Sequence, residues 1–75
     1  MANADPFLRS LGFAVKKLRE SQGLTQEALA EKADLDRTYL SDIERGGRNP
    51  GIKNVARLAK ALDVTPSRLL EGVAL

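Results

Sequence analysis

Cysteine and histidine are both absent from these 75 residues. The first absence excludes disulfides and thiolate metal sites, and the second removes the commonest metal ligand and general base. Catalysis would need an activated nucleophile or a metal, and neither Ser41 nor Thr38 nor any of the acids has a recognisable base to serve it. An enzyme is therefore not expected, nor is a metal or a cofactor. No apolar run approaches the roughly 18 residues of a membrane span, and the opening MANADPFLRS lacks a cationic leader with an apolar stretch behind it. A cytoplasmic location is the expectation that follows.

What is present is an ordinary globular composition, with 43% hydrophobic and 29% charged residues. The length allows one domain over residues 1–75, near the lower size at which a hydrophobic core holds a fold without staples. Net charge is only +2, but it is unevenly spread. The stretch from Arg37 to Lys60 holds six bases (Arg37, Arg45, Arg48, Lys53, Arg57, Lys60) against two acids (Asp42, Glu44), a local charge of +4 against −2 for the remainder. A phosphate-facing surface and a set of solvated helix faces both produce such a block.

Hydrophobic spacing reads as five helices with no strand, an all-α chain. Leu8, Leu11, Val15 and Leu18 repeat at helical spacing behind Asp5-Pro6, a cap followed by a proline whose missing N–H is not needed, and Gly23 stops the run. Thr25 caps a short second helix that places Leu29 and Ala30 inward and ends near Lys32 or Ala33. Asp36 caps a third, in which Leu40 and Ile43 are core positions while Arg37, Thr38, Ser41, Asp42 and Arg45 stay outside. GGRNPG at 46–51 is a loop. Ile52, Val55, Ala56, Ala59 and Leu62 then form an apolar stripe widened by Leu58, and Thr65-Pro66 opens a last helix carrying Leu69 and Leu70 toward Val73 and Leu75.

From Gln26 to Arg45 the text QEALAEKADLDRTYLSDIER resembles the helix-turn-helix of the phage-repressor-like (XRE) family. Ala30 fits a steep helix crossing that leaves no room for a longer side chain. The likeness continues through Leu11-Gly12, Val15, Leu18-Arg19 and Gly23-Leu24 before the motif, and Glu44, Arg45-Gly46, Asn49-Pro50 and Ala61-Leu62 after it. LDRTYLSDIERGGRNP in turn looks like the controller proteins of restriction-modification systems, small dimers that regulate their own operon. Two departures stand out. Asp34 occupies the turn position where the family often has glycine, at a cost of up to roughly 1 kcal/mol if the backbone there is left-handed. Gly51 stands where relatives usually have a serine or threonine capping helix four; glycine is an acceptable cap, but a hydroxyl that could bond phosphate is missing.

The resemblance implies a five-helix DNA-binding domain that regulates transcription from a pseudo-palindromic operator, with the third helix in the major groove. Its partners would be double-stranded DNA, a second copy of the chain and RNA polymerase. Arg37 is the first candidate for base reading, through two bonds to guanine O6 and N7, with phosphate contact as its alternative. Thr38, Ser41 and Gln26 complete the base-reading set, Gln26 also being placed to hold a phosphate at a helix start. Tyr39, Arg48, Asn49 and Lys53 are phosphate candidates; Tyr39 has packing and partner contact open to it as well. Asp42 either accepts from cytosine N4 or restrains Arg37 or Arg45. Arg19 and Glu44 resemble a family ion pair joining helices one and three. Ile52, Leu69, Leu70 and Val73 are the dimer-interface candidates, with closure of the core an equal role for Leu69 and Leu70. An antitoxin or adaptor acting mainly through a protein partner is the competing reading, and prophage repressors share much of the same text.

Overall fold

Each helix but one begins where a short polar side chain takes up N–H groups that a first turn leaves without partners. The computed structural model describes residues 5–73, and among them the regular elements are all helices. Asp5 accepts from the N–H of Phe7 at 2.9 Å and of Leu8 at 3.2 Å at the head of α1 (Pro6–Ser21). Thr25 accepts from Ala28 N–H at 3.0 Å at the head of α2 (Gln26–Ala33). Asp36 takes the N–H of Thr38 and Tyr39 for α3 (Arg37–Glu44), and Thr65 takes that of Arg68 for α5 (Pro66–Leu70). Between α2 and α3, Asp34 adopts φ 58° and ψ 45°, the left-handed turn expected there.

The exception is α4 (Gly51–Ala61), and it corrects the assignment of Gly51 to the cap. Pro50 stands at the cap with no side-chain hydrogen bond, and Asn49 Oδ1 accepts the Gly51 N–H at 3.0 Å. Gly51 has φ +76°, so a serine or threonine here would be held in a conformation that L side chains rarely adopt.

Helix α1 packs on α3 and α5, α2 on α3 and α4, and α4 on α5. The core between them gathers Leu11 and Val15, Leu29, Ala30 and Ala33, Leu40 and Ile43, then Val55, Leu58, Ala59, Leu62 and Leu69. Leu8 and Leu18 are only half-buried, and the covered stripe is Val55, Leu58 and Ala59 on α4 with Leu62 at its C-cap, leaving Ala56 and Ile52 outside. Gly12 lets α1 approach α3 closely, since a Cβ there would lie 2.3 Å from the Ile43 carbonyl oxygen. Leu69 is 1% exposed and closes the core, so it offers no surface to a second subunit and leaves the interface set. Leu70 and Val73 are half-buried against the same core, Ile52 is 72% exposed, and Leu75 lies outside the described residues.

Candidate nucleic-acid interface

The buried face of α3 determines what its other face presents. Leu40 and Ile43 are 0% and 1% exposed, which fixes the rotation of the helix and turns Arg37 and Thr38 outward at its N-terminal end. Among the described residues nothing pairs with the Arg37 guanidinium, so it projects as an unpaired planar donor. Ser41 and Asp42 follow half-buried, and Arg45 caps the far end.

A second layer supports this surface from behind. Arg19 reaches from α1 to Glu44, its Nε donating to Oε2 at 2.7 Å and its Nη2 to Oε1 at 3.0 Å, while Nη1 donates to the Leu24 carbonyl at 2.8 Å. The side chains are 10% and 2% exposed. Hydrogen bonding to Glu44 holds the Arg19 guanidinium above its ordinary range, against the opposing effect of burial. Gln26 joins the pair: its Nε2 donates to Glu44 Oε1 at 2.9 Å. One amide N–H and the carbonyl oxygen of Gln26 are left over from this bond, and the bond to Glu44 fixes the side chain at the start of α2.

Around the loop after α3, Tyr39, Ser41, Asp42, Arg45, Arg48 and Asn54 form one connected group, with Asn49 and Lys53 beside it. The Arg48 guanidinium lies 5.0 Å from the centre of the Tyr39 ring. The Tyr39 hydroxyl donates to the Pro50 carbonyl at 3.4 Å and accepts from Asn54 Nδ2 at 3.0 Å, so Tyr39 ties α3 to the start of α4. Asn49 uses its Oδ1 on the Gly51 N–H and keeps its amide donors. Lys53 is exposed in the first turn of α4. Asp42 pairs with Arg45 through Oδ1 and with Arg48 Nη2 through Oδ2 at 3.5 Å, and Arg45 Nη1 also donates to Ser41 Oγ at 2.8 Å. The structure thus brings together Arg37, Thr38, Tyr39, Ser41, Asp42, Arg45 and Arg48 along α3 and its loop. Arg57 and Lys60, counted in the same cationic block, instead line a shallow groove with Lys32, Ala33 and Asp34 between α2 and α4.

Asn54 and Phe13 were not singled out from the sequence. Asn54 steadies Tyr39 across 15 positions, a separation over which no local pattern pairs two polar residues. Phe13 is 60% exposed on α1 with Lys17 Nζ 5.7 Å from its ring centre, beside a groove shared with Arg68 and Gly72.

The family model described as helix-turn-helix, HTH_3, matches residues 15–69. The chain is 48% identical over 61 residues to the control protein C.BamHI of Bacillus amyloliquefaciens, covering 80% of this chain and 75% of that one. Its structure is similar to the restriction-modification controller protein C.AhdI from Aeromonas hydrophila, with a TM-score of 0.81 and 44% identity over 83% of this chain and 94% of that one. It is also similar to the controller protein C.Esp1396I, solved as a tetramer in complex with its natural 35 base-pair operator. There the TM-score is 0.83 and the identity 43%, over 89% of this chain and 88% of that one.

Proposed function

This chain belongs to the helix-turn-helix family HTH_3, and from that premise we propose that it is a sequence-specific, double-stranded DNA-binding transcriptional regulator, a homodimeric controller protein of a restriction-modification operon. The observation that carries the reading is the outward N-terminal end of α3, where Arg37 and Thr38 are exposed and unobstructed on a helix whose other face is locked in the core. A helix so presented enters the major groove with its first residues against the base edges. Arg37 donates two bonds to a guanine, Thr38 offers its methyl to a thymine, and Ser41 and Gln26 extend the reading. Tyr39, Arg48, Asn49 and Lys53 set the register by contact with phosphates.

The likeness to an operator-bound controller protein supports this assignment. Beyond the DNA and a second copy of the chain, we propose RNA polymerase as a further partner. In transcription with purified polymerase, the chain changes output from a promoter carrying its site; unchanged output would remove polymerase from the account. The function itself is tested by selecting bound duplexes from a random library with the purified chain. A two-fold symmetric consensus is the expected product. Absence of any enriched sequence would contradict the assignment and favour a module that acts through a protein partner.

A further inference from the structure

An acid at the centre of a surface meant for phosphates demands an explanation. Asp42 is the only acid among the outward positions of α3, and both of its oxygens are occupied: Oδ1 by Arg45 and Oδ2 by Arg48. Its side chain is 24% exposed, against 62% for Arg45 and 53% for Arg48, so the carboxylate sits beneath the two guanidinium groups that it gathers. Each arginine has a second anchor. Arg45 donates to Ser41 Oγ, and Arg48 lies over the Tyr39 ring, which Asn54 and the Pro50 carbonyl steady in turn. Arg37, one and a half turns earlier, is left without a partner among the described residues.

We propose that Asp42 is a specificity-determining residue, a clasp that holds Arg45 and Arg48 away from phosphates until a duplex offers its carboxylate a hydrogen-bond donor. The inference rests on the DNA-reading function proposed above. On an arbitrary duplex, phosphates must draw the arginines from Asp42, and the freed carboxylate then faces acceptor-bearing base edges. On the correct duplex an exocyclic amino group, cytosine N4 or adenine N6, replaces the arginines at the carboxylate. Discrimination is a difference of affinities, and the clasp acts by weakening the wrong complexes.

The test compares the full chain with Asp42→Asn on the duplex recovered by selection and on a scrambled duplex, across a series of salt concentrations. Asp63→Asn serves as the control: it makes the same charge change in the turn between α4 and α5, at a left-handed position (φ 59°) that asparagine accepts. Asp42→Asn is expected to bind the scrambled duplex about 3- to 10-fold more tightly, with a steeper salt dependence, and the selected duplex no more tightly. The ratio of the two affinities therefore falls, Asp63→Asn leaves it unchanged, and adding Arg45→Gln and Arg48→Gln to Asp42→Asn removes the gain. An unchanged scrambled affinity, or an equal gain from Asp63→Asn, would overturn the clasp. So would a loss confined to the selected duplex, which would make Asp42 a direct base reader that restrains nothing. If the wild-type chain does not distinguish the two duplexes, the proposed function fails first, before any variant is compared, and the clasp with it.

Discussion

At the scale of single residues, the Arg19–Glu44 pair governs both stability and presentation of the site. Burial of two charges is tolerated because each guanidinium nitrogen and both carboxylate oxygens have partners, Gln26 and the Leu24 carbonyl included. Removing one charge strands the other, so Glu44→Ala should cost about 3–5 kcal/mol, read as a lowered thermal midpoint. The double substitution Arg19→Met with Glu44→Leu should recover much of that loss, because apolar side chains of similar volume replace a buried pair with little penalty. The pH behaviour follows from the direction of the Arg19 shift. A cation held above its ordinary pKa contributes its full stabilisation below that ordinary range and loses it only as pH rises through the raised folded value. The difference in melting temperature between the wild type and Arg19→Met should therefore be the same at neutral and at moderately alkaline pH. This pair was visible only through the family resemblance, since 25 positions separate its members and no local spacing connects them. The contacts of Gln26 with Glu44 and of Asp42 with Arg48 were hidden for the same reason: the fold, not the helix, brings them together.

At the scale of elements, the helix starts at Asp5, Thr25, Asp36 and Thr65 were legible because a cap is made within three residues of its own chain. The start of α4 was not, because a glycine in a turn signal gives no sign of which side of the boundary it occupies. Here it is the first helical residue, at φ +76°. Gly51→Ser is thus expected to destabilise the chain by about 1 kcal/mol instead of strengthening the cap. The Leu69 assignment depended likewise on tertiary packing. An apolar residue in a short last helix closes the core or faces a partner, and only the placement of α5 against α1 and α4 decides between them. Gly12 makes the clearest demand of any element contact. Adding a methyl group must push α1 from the Ile43 and Glu44 carbonyls of α3, 2.3 Å and 2.6 Å from the new carbon. Gly12→Ala should cost at least about 1–3 kcal/mol in a denaturant titration, and it should loosen the Arg19–Glu44 contact between the same two helices.

At the scale of the whole molecule, the dimensions are 29 × 24 × 22 Å. Successive major-groove faces on one side of a duplex lie about 34 Å apart, more than any dimension of the described residues, so the proposed function requires a second copy for the other half-site. Ile52, 72% exposed at the head of α4, is the interface candidate least involved in the monomer's own core. Ile52→Asp is expected to leave helicity intact, sediment as a monomer, and weaken operator binding by about 100-fold or more through loss of the second half-site. A dimeric Ile52→Asp protein would place the interface elsewhere. The central claim, that the exposed end of α3 reads base sequence, is tested most directly by measuring wild type and Arg37→Ala against the selected operator and each of its single-base variants. The account predicts that Arg37→Ala erases discrimination at one guanine in each half-site, by about 1–3 kcal/mol, and preserves it at other positions. A uniform loss of affinity on every duplex, with all base preferences intact, would make Arg37 a phosphate contact and contradict the claim.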